Sequence, residues 1–430
     1  MLGRIRKEVA APLARWSYGP VLRSFTPTAR AFLAYTLFNS IGFDMLNLVF
    51  NLYLHSLGHG RDLIGLVNGV PSIAVLLVGL PIGIWADRIG YRPFLVAGAF
   101  LNVVALGGMA LWPAPAALIG FSILRGLAWA CTWVLGPPLL MAESTPQNRV
   151  HLFAVHSAIL MGSGFIGSLL AGSLPEALAA RWQVGPSSPG PLRATFGVAI
   201  AFMAAAALPT LLIRSQAPLG HRSPLPQTRA EARLFLRLLL PSALIAFGAG
   251  AMVVFFQLFF NLRFGMDPGE IGILFALGSV ATALATLVTP RLSQRLGKVR
   301  TVVVTELASI PFLLLLAYSR HLPLVIGAYY MRQVLMNMAS PVSSAFLLEQ
   351  VRPDQRATLT SLHAMLGSLG RGGLGPVVSG WMQVRWDFTG AFTLTTVAYV
   401  LGTSLFYLFF RNVPEPERVR AKAPTEAPSP

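Results

Sequence analysis

Gly83 to Phe94 reads GIWADRIGYRPF, and Pro290 to Thr301 reads PRLSQRLGKVRT. Each is a short, Gly-marked, basic break between two long apolar runs. The first break carries an acid, Asp87, beside Arg88 and Arg92; the second has Gln294 at the acid's place and keeps Arg295 and Gly297. A break that recurs about 207 residues later suggests a chain built twice, and the runs around it show how.

Of the 430 residues, 54% are hydrophobic and only 11% are charged. Soluble domains carry about 25% charged residues. A chain this poor in charge cannot clothe a water-facing surface, so the lipid bilayer is the solvent for most of it. Apolar runs long enough to cross as helices lie at 31–56, 62–86, 93–112, 116–142, 150–172, 194–213, 238–264, 270–289, 301–318, 324–348, 357–382 and 388–410. Each approaches or exceeds the roughly 20 residues a transmembrane helix needs, and all are too long and continuous for barrel strands. The expected fold is an all-α membrane protein of twelve transmembrane helices.

The net charge of +17 does not point to nucleic acid, because Lys and Arg lie between the spans and not in one patch. With both termini in the cytoplasm, inner segments hold 24 of them and outer loops six (Arg61, Arg181, Arg193, Arg263, Arg320, Arg385). That bias sets the orientation. The expected organisation is a basic cytoplasmic N-terminus (1–30), a first six-helix half (31–213), a cytoplasmic linker (214–237), a second half (238–410) and a disordered cytoplasmic tail (411–430). The linker and tail are read from their Pro, Gly and Ser content. Cys131 is the only cysteine, which excludes disulfides.

The two halves align beyond the quoted break. Ile64 and Gly65 match Ile271 and Gly272, Asn47 pairs with Gln257, and Asn51 with Asn261. Arg125 pairs with Arg332, and His156 with His363. Chance matches of Leu and Val are expected in apolar sequence; Arg and His at a spacing of 207, with Asn at 210, are not. Two similar halves joined by a linker can rock about a central site. With these features in place, Gly83, Asp87, Arg88, Gly90 and Arg92 resemble the G-x-L-A-D-R-x-G-R-R signature between helices 2 and 3 of the major facilitator superfamily. Tyr91 and Trp85 depart from it. The resemblance covers all twelve spans and implies two pseudo-symmetric halves, alternating access, and a cavity lined by spans 1, 4, 7 and 10. It also implies that Asp87 belongs to a cytoplasmic latch that meets the N-terminal end of span 11 near Ala357. The antiporter motif of span 5 is degenerate here, GSGFIGSLLAG from Gly162 to Gly172, so export is a lean only.

Ionisable residues inside spans are costly and are functional candidates by default. Asp44 shares a helical face with Asn47 and Asn51 in span 1. Arg125 in span 4 cannot shed its charge at cellular pH, and Asp44 is its candidate partner. The functional reading is a proton-coupling or substrate site; the bland one is a permanent salt bridge. Arg332 can bind an anionic group, line a wet cavity or pair with Asp44. Glu306 is close enough to the interface to snorkel, which favours a structural role. His156 and His363 fit helix packing or gating, and Arg371 carries no assignment. Trp129, Trp133, Phe256, Gln257, Asn261 and Asn337 complete the expected cavity set, which is aromatic with few polar anchors and suits an amphipathic or drug-like solute. Part of the aromatic set is expected to face lipid or neighbouring helices.

The expected function is a secondary active transporter of a small solute in the cell (inner) membrane, working as a monomer without a cofactor, and proton-coupled efflux leads. Uptake by symport or uniport is the nearest alternative. A non-transporting sensor on the same frame is a third reading. No nucleotide motif, metal-ligand cluster or nucleophile–base pair marks an enzyme or ATP-driven pump.

Overall fold

The computed structural model describes residues 24–133, 135–145, 148–214 and 228–413, and they form helices joined by short turns with no strand among them. The first half comprises α1 (Pro27–Ser56), α2 (Arg61–Ile89), α3 (Tyr91–Leu111), α4 (Pro115–Trp133, resuming at Gly136–Ala142), α5 (Arg149–Trp182) and α6 (Pro189–Thr210). The second comprises α7 (Arg229–Val253, resuming at Phe256–Phe264), α8 (Pro268–Leu296), α9 (Lys298–Tyr318) and α10 (Leu322–Glu349). It ends with α11 (Arg356–Ser368, then a π-turn at Leu369–Leu374) and the long segment Gly375–Phe410. Among the described residues ten segments are long and apolar enough to cross a membrane, one of them the 53-residue stretch Thr358–Phe410. At 1.5 Å per residue that stretch would be about 80 Å long, far more than one crossing. It is divided by non-helical backbone at Trp386 and Asp387, so α11 ends there and residues 388–410 form α12. With α10 the count of crossings is twelve.

Several boundaries differ from the sequence reading for local reasons. α7 starts at Arg229, inside the segment read as linker, because Thr228 and Glu231 form a capping box there. Residues 215–227 and 414–430, the rest of the linker and most of the tail, lie outside the described residues. α5 continues ten residues past the expected end at 172, since Ala- and Leu-rich sequence carries the helix on until Gln183 turns left-handed at φ 54°.

The quoted breaks become single-residue hinges. Gly90 (φ 99°, ψ 161°) is the only residue between α2 and α3, and Gly297 (φ 85°, ψ 160°) is the only one between α8 and α9. That conformation is open to glycine and strained for other residues. Gly83, at the start of the first break, packs against nothing: no atom lies within 4 Å of where a methyl on it would stand.

The halves meet along two seams built from repeat-related glycines. A methyl on Gly65 of α2 would lie 3.1 Å from the Gly380 Cα of α11, and one on Gly272 of α8 would lie 2.8 Å from the Gly172 Cα of α5. Deeper in, Gly372 of α11 lies against Ser72 of α2, while Gly164 of α5 lies against Ser279 of α8. Each residue of one seam stands 207 or 208 positions from its counterpart in the other. Small residues let backbones touch, which suits helix pairing in lipid.

The seams are tied on the far face, opposite the chain termini. Asn51 Nδ2 donates to the Val254 carbonyl at 2.7 Å, and Asn261 Nδ2 donates to Ser187 Oγ at 3.2 Å. Arg61 pairs with Asp387, donates to the Gln383 carbonyl at 3.4 Å and stacks 4.4 Å from the Phe388 ring centroid. On the terminal face the described ion pairs stay within a half: Lys298 with Glu349 at 2.6 Å and Arg352 with Glu231 at 3.4 Å.

Candidate functional site

The break in α7 explains where most of the expected polar cavity residues went. The helix is interrupted at residues 254–255, where Phe255 leaves helical geometry (φ −109°, ψ 3°), and the Val254 carbonyl loses its intrahelical donor. Asn51 supplies one from the other half and Gln257 Nε2 supplies another at 2.8 Å. Asn68 Nδ2 completes the group by donating to Asn51 Oδ1 at 2.8 Å. A freed backbone carbonyl inside a membrane must find donors; the Asn51 and Gln257 amides supply them, and Asn68 holds Asn51 in place. Asn51 and Gln257 are therefore buried at 2% and 3% exposure. Asn261 holds the loop after α7, donating to the Met266 carbonyl at 2.9 Å. All three belong to the closure of the far face and not to the cavity wall. Asn68 was not anticipated; a single polar residue in an apolar run gives no signal of its partner.

The expected Asp44–Arg125 pair is not formed. No ion pair joins the two, and neither has a hydrogen bond to a described residue. Asp44 faces α5 instead: a methyl on Gly167 would lie 2.7 Å from Asp44 Cβ. Asp44 Oδ2 and Ser279 Oγ flank one point above Gly164, at 3.9 and 3.4 Å. The half-buried carboxyl thus stands where α1 meets the α5–α8 seam. Asn47, three residues on, is exposed. Arg125 lies inside the first half, beside a cavity of about 30 Å3 that it lines with Tyr35, Asn39, Phe43, Asn102, Trp129, Thr132 and Met203. That space holds a water or two, not a solute.

Arg332, the repeat mate of Arg125, has a different environment. It is 2% exposed, donates from Nη2 to the Tyr399 hydroxyl of α12, and lies 5.5 Å from the Phe256 ring centroid. Phe256 is itself edge-on to Tyr329 at 5.3 Å. Phe255, Phe256, Phe259 and Phe260 are all buried, so the aromatic run of α7 is core and does not wall a cavity. Glu306 does not snorkel: it is 5% exposed and accepts a hydrogen bond from Thr403 Oγ1 at 2.7 Å. Asn337 Nδ2 donates to the Gln333 carbonyl one turn back at 2.7 Å. His156 stacks on Phe32 with centroids 6.1 Å apart, a packing contact.

In the signature stretch, Arg88 is exposed and Arg92 Nη2 donates to the Leu211 carbonyl at 3.2 Å, which satisfies the end of α6. The side chains of Asp87, Trp133 and Ala357 lie outside the described residues. Asp387, which the sequence reading passed over, and Arg371, which it left without an assignment, hold prominent places: Asp387 is left-handed at φ 51° beside Arg61, and Arg371 is exposed on the π-turn of α11.

Twelve crossings in two repeated halves, closed against each other on one face and carrying unpaired charge at mid-depth, are the architecture of an α-helical membrane-transport fold. The chain belongs to the Major Facilitator Superfamily, whose pattern matches residues 32–371 and 238–430. No curated protein sequence matches it. Among solved structures it is similar to a bacterial homologue of the human lysosomal transporter Spinster, in an inward-facing and unoccupied conformation. The TM-score is 0.72 at 18% identity, over 91% of this chain and 97% of that one. It is also similar to the nucleoside transporter NupG (TM-score 0.71, 16% identity, 90% and 99% covered). A bacterial homologue of the iron transporter ferroportin, inward-facing, follows at 0.69 and 16%, with 89% and 98% covered. At these identities the likeness concerns the fold alone.

Proposed function

We propose that this chain is a secondary active transporter that exports a small amphipathic solute in exchange for protons, with Asp44 as the proton-carrying carboxyl. The observation that carries the reading is the place of Asp44: half-buried, without a cationic partner, against Gly164 and Gly167 at the α5–α8 seam. A lone carboxylate at this depth is expensive. A carboxyl can remove that cost by taking up a proton, which a guanidinium cannot do. The seam must slide when the halves rock, so access of water to Asp44 changes with the state of the transporter. Proton binding and solute exit are coupled at this point. Both termini lie on the cytoplasmic side of the inner membrane, and the far face is the outer one.

The test uses proteoliposomes with an imposed pH gradient and an internal pH dye, screened with amphipathic solutes. A transported solute drives proton movement in the wild type, and Asp44→Asn cuts that movement at least tenfold while the thermal unfolding curve stays in place. Solute flux without protons, or full coupling in Asp44→Asn, overturns the proton role. Higher solute accumulation in cells lacking the gene supports export; lower accumulation points to uptake.

A further inference from the structure

The transport reading leaves one guanidinium unused. The π-turn of α11 has the sequence LGRGGL, and such turns concentrate at functional sites. Its glycines are fixed on two sides. A methyl on Gly370 would lie 2.8 Å from the Phe247 amide of α7, and one on Gly373 would lie 3.5 Å from Ile73 and Ser72 of α2. Gly250 of α7 meets the Arg371 backbone, where a methyl would come within 2.5 Å of its carbonyl oxygen. With those faces occupied, Arg371 is exposed although Gly370 and Gly373 are buried.

A guanidinium midway along a membrane crossing faces either lipid or water-filled space, and lipid costs several kcal/mol. Arg371 lies within electrostatic reach of Arg332 and the Tyr399 hydroxyl. Both of those residues are buried inside the second half, which puts the guanidinium on the inner side. No hydrogen bond or ion pair joins it to a described residue. Behind it, Arg332 has a buried Nε with no partner. Glu306, the acid within the spans of this half, is held by Thr403. Two guanidinium groups therefore share one wall, and no described carboxylate neutralises either.

We propose that Arg371, backed by Arg332, binds an oxyanion group on the transported solute, a carboxylate or a phosphate monoester at one end of an amphiphile. The planar fork of an arginine matches such groups with two parallel hydrogen bonds. The proposal rests on the chain being a solute transporter; it adds the charge of the solute and needs no proton coupling.

The experiment measures binding only, by tryptophan fluorescence of the purified full chain in a neutral detergent. The probes share one tail: dodecanoate, dodecyl phosphate and dodecyltrimethylammonium. The wild type binds at least one of the two anions tenfold or more tighter than the cation. Arg371→Gln weakens that binding about 10- to 100-fold, the loss of a charge-assisted hydrogen bond. Arg371→Lys retains part of it, and Arg320→Gln, on the far-face loop, retains all of it. Equal binding of the cationic probe by the wild type, or unchanged anion binding in a folded Arg371→Gln, overturns the proposal. Should Arg371→Gln fail to fold, the wild type decides: the anion preference must shrink as salt is raised from low to molar concentration, and a preference indifferent to salt overturns the site. Transport is not read in this assay, so a failure of proton coupling at Asp44 leaves the outcome standing.

Discussion

Arg125 and Arg332 occupy the same place in the two halves, and the chain treats them in opposite ways. Arg332 is locked: Tyr399 accepts its hydrogen bond, and the Phe256 and Tyr399 rings lie 5.5 and 5.7 Å away. Arg125 has no described partner and borders a cavity of about 30 Å3. Repetition of sequence fixed their depth in the membrane. The surroundings then diverged, through Tyr399 on one side and through Asn39, Asn102 and Thr132 on the other. The lesson is that a repeated charge carries no repeated role. One guanidinium holds three helices together; the other lies buried at 8% exposure beside a space for a water or two.

The difference can be broken at three points, and thermal unfolding in detergent reads each. The largest effect is expected for Arg332→Ala, which leaves a hole and strands the Tyr399 hydroxyl; it lowers stability by about 3 kcal/mol. Tyr399→Phe removes one hydrogen bond and leaves the guanidinium to its ring contacts, at a cost of about 2 kcal/mol. Arg125→Gln is expected to change stability by less than about 1 kcal/mol, since no bond to protein is lost. If Arg125→Gln proves as costly as Arg332→Ala, the two arginines are equivalent structural groups and the comparison fails.

The fold was largely legible because membrane burial writes itself in long apolar runs and because the chain is doubled. The twelve crossings, the hinges at Gly90 and Gly297 and the pairing of Gly65 with Gly272 all follow from those two signals. The site was legible only as a set of costly residues. Periodicity put Asp44, Asn47 and Asn51 on one face, yet they end half-buried, exposed and buried. The reason is the break in α7, whose free Val254 carbonyl draws Asn51 and Gln257 to itself. No local pattern announces such a demand from another helix. Arg61 and Asp387 were also missed, since they are 326 residues apart and each looks like an ordinary loop charge.

The glycine seams have a consequence for electrical tightness. A transporter that leaks ions at its closed face dissipates the gradient it lives on. Where Gly65 meets Gly380 and Gly172 meets Gly272, backbone lies on backbone, and a side chain or a water has no room between those helices at these points. Opening such a seal gives up dispersion contacts, each worth only about 0.1–0.2 kcal/mol per atom pair. It does not require a buried charge to be rehydrated: the Arg61–Asp387 pair already stands partly in solvent, at 22% and 59% exposure. The far face can therefore be closely packed when shut and still part without bringing a buried ion pair back into water.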